Sequence, residues 1–306
     1  MPRHTTLARA LATARLAPLA VALLAPLALP AQRPDSARLA PGVSLALAQH
    51  RARTLADVHY DVALSIPARR SEPVTGTTLL RFTRRADAGP AIVDFDATPA
   101  QVLAVDVNGR DLGALAPVNG HLVIPAARLR RGANRVTIRF VAGDVPLNRD
   151  DEFLYTVFVP ARARQAMPVF DQPDLKARWT VSLEVPRAWA TVANGAALVR
   201  EPVAGERDVV RFAETKPLPT YLVAFAAGRF RVDSAVRDGR TLRMFHREGD
   251  PAKVARNRDE VFDLHARALR WMEEYTGIRH PWEKLDVFLA PAFQFGGMEH
   301  AGAIFY

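Results

Sequence analysis

Tyr60-Asp61-Val62-Ala63-Leu64-Ser65-Ile66 sets an apolar side chain at every second position, with polar or small residues between them. Side chains alternate faces along a strand, so this run reads as a strand with one buried face. Thr78, Leu80 and Phe82 repeat the pattern, as do Val136, Ile138 and Phe140. Asn108-Gly109 follows the apolar run from Val102 to Val107 and suits a type I′ hairpin turn, which needs two successive residues at positive φ. Gly76, Gly120, Gly132, Asn194-Gly195 and Gly205 punctuate the rest at short intervals. Short strands with regular turn signals predict a mainly β domain over residues 56–232, an antiparallel sandwich or saddle.

The pattern changes on either side of that domain. Asp250-Pro251 is a helix start: the carboxylate can cap free amides and proline fits the first helical position. Val261, Leu264, Ala268, Met272 and Tyr275 then recur at helical spacing, and Gly277 closes the element. Residues 285–289 read as a buried strand and 296–306 as a second one, so 233–306 is a mixed α/β segment. Upstream, residues 32–55 are rich in Ala, Arg, Gln and Pro and read as a linker with one short helix at 43–55.

Composition narrows the function classes. The 306 residues carry a formal charge of +9, yet lysine occurs only at Lys176, Lys216, Lys253 and Lys284. Arginines are spread along the chain without a like-charge block, so a solvated basic surface is expected and no nucleic-acid partner. With no cysteine, disulfides, thiolate metal sites and a cysteine nucleophile are excluded. Residues 1–31 read as an export signal: Arg3, Arg9 and Arg15 precede an apolar run at 16–29, with small residues around Ala28 and Ala31 as a cleavage site. Pro18 and Pro26 break that run, so contact with a membrane is expected only during export, and the mature protein is placed in the periplasm or outside the cell.

The chemistry concentrates at Phe295-Gly296-Gly297-Met298-Glu299-His300. On a strand, Gly297 and Glu299 share one face while Met298 and His300 share the other. An acid between small residues makes a shallow slot with a single charge. A peptide lying there as an added strand could present its ammonium to Glu299 in a charge-assisted hydrogen bond. A fixed amine places the first peptide bond, and only that one, at a neighbouring reactive centre.

This stretch resembles the Gly-x-Met-Glu-Asn motif of the aminopeptidase N family of zinc metallopeptidases, with His300 where Asn is usual. His280-Pro281-Trp282-Glu283-Lys284-Leu285-Asp286-Val287, then Pro291-Ala292-Phe293, resembles the family's approach to the motif. Met167-Pro168-Val169-Phe170-Asp171-Gln172-Pro173-Asp174, running on to Trp179, resembles a second block near the edge of its amino-terminal domain. The resemblance spans residues 57–306 and implies a saddle-shaped β domain leading into a thermolysin-like catalytic domain cut short at its start. It implies that Glu299 binds the free amino group of a peptide substrate, with Gly296, Gly297 and Met298 lying along that substrate. The implied cofactor is zinc, held on a His-Glu-x-x-His helix. The histidines His4, His50, His59, His121, His246, His265, His280 and His300 include no pair that brackets a glutamate at that spacing. No catalytic residue and no metal ligand is therefore expected in this chain; they are expected beyond Tyr306, and the chain alone is expected to be inactive. The alternative is a non-catalytic, peptide-binding or scaffold protein of the same architecture.

Two departures from the family pattern stand out. His300 is read as a structural support pointing away from the amine slot. Val159 occupies the place where many members carry a Gln or Glu that also holds the amine; it cannot accept a hydrogen bond, which leaves Glu299 alone or a substitute such as Gln165. His265 is expected to be a core histidine, Asp171 and Asp174 to fix a turn about Pro173, and Glu273-Glu274 to be helix surface charges. Trp179, Trp189, Trp271 and Trp282 are expected in the core.

Overall fold

Tyr60, Val62, Leu64 and Ile66 all point into one core, and the strand they build, Leu55–Ser65, lies at the heart of an eight-stranded sheet. In this computed structural model, which describes residues 37–85 and 89–306, the sheet order is Ala197–Val203, Arg207–Phe212, Arg178–Pro186, Leu55–Ser65, Thr75–Arg84, Gly132–Val141, Val102–Val107 and Arg110–Asp111. Registers such as Tyr60 opposite Leu80 and Leu80 opposite Val136 keep the apolar residues of neighbouring strands on one face. A one-residue slip would turn that face to water. Asn108 and Gly109 both take positive φ (56° and 82°), as the hairpin between Val102–Val107 and Arg110–Asp111 requires.

One pairing departs from the antiparallel expectation. Leu55–Ser65 and Arg178–Pro186 run parallel, with Tyr60 opposite Trp179 and Leu64 opposite Leu183. The Tyr60 and Trp179 rings stack at 4.0 Å between centroids. Parallel neighbours need a long crossover, here most of the domain, so no local turn signal announces them.

Two smaller sheets complete this part: Ala91–Asp94 with His121–Ile124, and a three-stranded sheet in the order Ala190–Ala193, Phe225–Gly228, Phe153–Tyr155. Residues of all these sheets share the main core, with Phe95, Phe140, Phe170, Trp179 and Phe225 among its largest members. The helix expected at 43–55 is α1, Leu45–Thr54, capped by Ser44 Oγ. It is anchored rather than loose. Arg51 is buried and makes a two-point ion pair with Asp94 (2.8 and 2.6 Å) and two hydrogen bonds to Ile92 O. Burial opposes the charge on Asp94, but the Arg51 guanidinium and the His121 ring beside it hold the carboxyl below its ordinary range. The export signal expected at 1–31 lies outside the described residues.

Beyond Gly228 a separate four-stranded sheet begins, ordered Arg231–Arg237, Arg240–His246, Leu285–Phe288, Ala303–Phe305. Its first pair is antiparallel and the other two are parallel. Helix α2, Pro251–Thr276, forms the crossover between Arg240–His246 and Leu285–Phe288. Asp250 caps it by accepting from Ala252 N and Lys253 N, and Gly277 ends it in the left-handed conformation. The buried side of α2 is Phe262 and Ala266, with Phe262 packed among Leu242, Met244 and Leu285. Leu264, Met272 and Tyr275, expected on the core face, are exposed. Trp271 is exposed too and stacks on Tyr275 at 5.1 Å, whereas Trp179 and Trp189 are buried and Trp282 packs on the main core. Glu273 is more than a surface charge: Arg240 grips both its oxygens and His280 N donates to it. No helix among the described residues is long and apolar enough to cross a membrane.

Candidate functional site

Leu285–Phe288 is buried along its whole length, and the chain that leaves it is not. From Pro291 to Gly297 only Phe293 is partly covered. The strand expected over 296–306 is shorter: only Ala303–Phe305 joins the sheet. Met298 instead pairs antiparallel with Phe305, through Met298 N to Phe305 O (2.8 Å) and Phe305 N to Met298 O (3.2 Å). Between them the chain reverses, with His300 N donating to Met298 O and Ala303 N to His300 O. Gly302 makes the reversal possible. Its φ is +76°, and a Cβ there would lie 2.4 Å from Asn194 O.

Glu299 therefore sits at a turn rather than within a ladder. Met298 and His300 are buried while Gly297 and Glu299 face out, the alternation read from the sequence. The Glu299 carboxylate is exposed and makes no hydrogen bond or ion pair with another described residue. The carboxylate faces solvent, as do Phe295, Gly296 and Gly297 before it.

The two glycines differ. A Cβ on Gly297 would meet the Tyr306 ring at 3.1 Å, and that ring packs edge-on against His265, whose Nε2 lies 3.1 Å from Tyr306 Oη. A side chain at Gly297 would therefore have to displace the Tyr306 ring by a few tenths of an ångström. A Cβ on Gly296 would meet nothing within 4 Å, which leaves open space beside its backbone. Tyr155, from the strand Phe153–Tyr155, donates its hydroxyl to Ala292 O and so ties the exposed loop to the β domain. His265, expected in the core, is half-buried, and its Nδ1 meets Val261 O one helical turn back at 2.7 Å.

His300 is almost wholly buried, edge-on to Phe305 at 4.7 Å. Neither of its ring nitrogens has a hydrogen-bond partner among the described residues. Burial pulls its pKa down to about 3, so the ring is neutral at ordinary pH. Val159 packs partly buried among apolar residues, and Gln165 lies beside Gly143, its amide oxygen buried without a partner. No hydrogen bond connects either to Glu299 among the described residues. Asp171 does more than fix a turn. It is buried, accepts from Thr220 Oγ1 and Arg164 N, and burial raises its pKa.

Sequence reasoning missed the charged group beneath the turn. Asp286 is fully buried in the middle of Leu285–Phe288, held by Arg243 through two hydrogen bonds (2.9 and 2.6 Å) and by Lys284 Nζ at 2.7 Å. The signal was there, because an acid inside a strand buried on both faces must have partners. No group of three or more His, Asp or Glu that could hold a metal occurs among the described residues. The zinc implied by the resemblance has no ligand set in them.

Residues 145–222 match the peptidase M1 N-terminal domain. A probable M1 family aminopeptidase 1 of Encephalitozoon cuniculi is 33% identical over 198 residues, covering 60% of this chain and 22% of its own length. The puromycin-sensitive aminopeptidase of Caenorhabditis elegans is 33% identical over 162 residues, 52% of this chain and 17% of its own. Aminopeptidase N of Streptomyces lividans is 24% identical over 282 residues, 86% of this chain and 32% of its own. The chain thus spans between a sixth and a third of the length of these relatives. The chain is thus similar to M1 aminopeptidases, and residues 145–222 match that family's N-terminal domain.

Proposed function

We propose that this chain is the amino-terminal part of an exported zinc aminopeptidase that removes amino-terminal residues from peptides. In this reading residues 233–306 begin a thermolysin-like domain, and Glu299 receives the substrate's free ammonium. The observation that carries the reading is the exposed, unpaired Glu299 carboxylate held at a tight turn beside the open backbone of Gly296. A carboxylate without a partner of its own can give its full hydrogen-bonding capacity to an incoming cation. A fixed ammonium sets where the first peptide bond lies, and bound position alone supplies much of an enzyme's advantage. In this reading the part of residues 233–306 is capture and orientation of the substrate. Export rests on the basic and apolar pattern of residues 1–31.

The test compares the natural full-length protein with residues 32–306 alone, using an aminoacyl p-nitroanilide. Chelator-sensitive hydrolysis by the full-length protein, and none by the shorter piece, is the expected result. Chelator-sensitive turnover by residues 32–306 would contradict it. Peptide binding by a full-length protein that hydrolyses nothing would favour the scaffold alternative.

A further inference from the structure

The Glu299 turn is docked on the β domain at its far end. Lys284 Nζ is buried and has three acceptors: Asp286 Oδ2 at 2.7 Å, Gly302 O at 2.7 Å and Ala193 O at 2.8 Å. An ammonium carries three donors, so none is left over. Ala193 ends a strand of the three-stranded sheet, whereas Gly302 and Asp286 belong to the segment that bears Glu299. The neighbouring Asn194 repeats the link. Its amide donates to Ala301 O and Leu222 O, both at 2.9 Å, and accepts from Ala224 N at 2.7 Å. The backbone of Asn194 also lies so close to Gly302 that no larger residue fits there.

We propose that Lys284 and Asn194 are positioning residues that hold the Glu299 carboxylate in register with the β domain. This rests on the reading of Glu299 as the amine anchor. Three features carry it. The fastening groups grip residues 301 and 302, two and three positions after Glu299. They stand at the ends of strands in two different sheets, Asn194 just after Ala190–Ala193 and Lys284 just before Leu285–Phe288. The turn's internal backbone hydrogen bonds run between residues 298 and 305, and Gly302 O also accepts from Asp286 N at 3.0 Å, so Lys284 and Asn194 supply the side-chain ties. Loosening the dock lets the carboxylate wander without removing it.

The prediction concerns how a kinetic change divides. In the full-length enzyme, Lys284→Met should raise KM for an aminoacyl p-nitroanilide about tenfold, with any fall in kcat coming in addition, since a displaced anchor weakens capture as well as orientation. Asn194→Ala, which removes an amide but no buried charge, should shift KM the same way by a smaller factor. A merely structural role would lower the active fraction, and so kcat, with KM unchanged; that outcome overturns the proposal. If Lys284→Met does not fold, Asn194→Ala decides the matter by the same criterion. Glu299→Ala serves as the control. If it leaves KM unchanged, the anchor reading itself fails. If it raises KM while Asn194→Ala and Lys284→Met do not, only the positioning role fails.

Discussion

Replacing His300 by Asn should flatten the acid side of the stability curve. The imidazole is buried with no partner for either nitrogen, and its pKa is lowered to about 3 against an ordinary 6.5. The unfolded chain therefore takes up a proton as pH falls below about 6.5, while the folded chain refuses it until about pH 3. In that window the unfolded state binds more protons, so stability falls as pH falls. The linkage is worth about 1.4 kcal/mol for each pH unit below about 6.5, so this residue alone takes away about 2 kcal/mol between about pH 7 and about pH 5. Urea unfolding of the wild-type chain and His300→Asn at a series of pH values reads this directly. Other titrating groups are common to both proteins, so the difference between the two curves isolates His300. The gap should change by about 2 kcal/mol over that range. Parallel curves would refute the reasoning and mean that the ring is solvated or partnered.

The remaining predictions concern packing. Gly296→Ala should leave stability within about 0.5 kcal/mol, since its Cβ meets nothing, yet weaken substrate capture in the full-length enzyme; thermal unfolding beside KM checks both. Gly297→Ala should push the Tyr306 ring from His265 and cost about 1 kcal/mol, and an unchanged midpoint would count against that packing. Arg51→Met strips the buried Asp94 of its main partner and should destabilise by about 3–5 kcal/mol in urea unfolding. In the same region both His121 nitrogens face acceptors, Asp94 and Ala40 O. Burial lowers the His121 pKa, but the bond to Asp94 outweighs it and raises the value above 6.5, so its contribution is full below about pH 6.5 and fades as pH rises through the raised value. The difference between wild type and His121→Gln in alkaline unfolding should therefore shrink.

Much of the fold was legible because its signals are local. The alternation at Tyr60, Val62 and Leu64, the Asn108-Gly109 turn and the Asp250-Pro251 cap each fix a backbone choice within a few residues. What escaped depends on distant partners. The parallel pairing of Leu55–Ser65 with Arg178–Pro186 leaves no local trace. Along α2, Val261, Leu264, Ala268, Met272 and Tyr275 form a plausible apolar row, but the sheet packs on Phe262 and Ala266 and keeps only Val261 of that row beside them. The core there is decided by what lies opposite, not by periodicity alone. At the site, the outward Glu299 and inward His300 followed from alternation. The reversal between Met298 and Phe305 did not, although Gly302 marks it. Lys284 stood out only as one of four lysines, since its three acceptors, Asp286, Ala193 and the turn residue Gly302, meet it only in the folded chain.

The measurement closest to the central claim compares inhibition constants of a short peptide with a free amino terminus and its acetylated counterpart, on the full-length enzyme and its Glu299→Ala variant. Wild type should prefer the free peptide by about 10- to 100-fold, the equivalent of one hydrogen bond to a charged group, and the variant should lose that preference. An identical ratio in both proteins would show that Glu299 does not hold the amine.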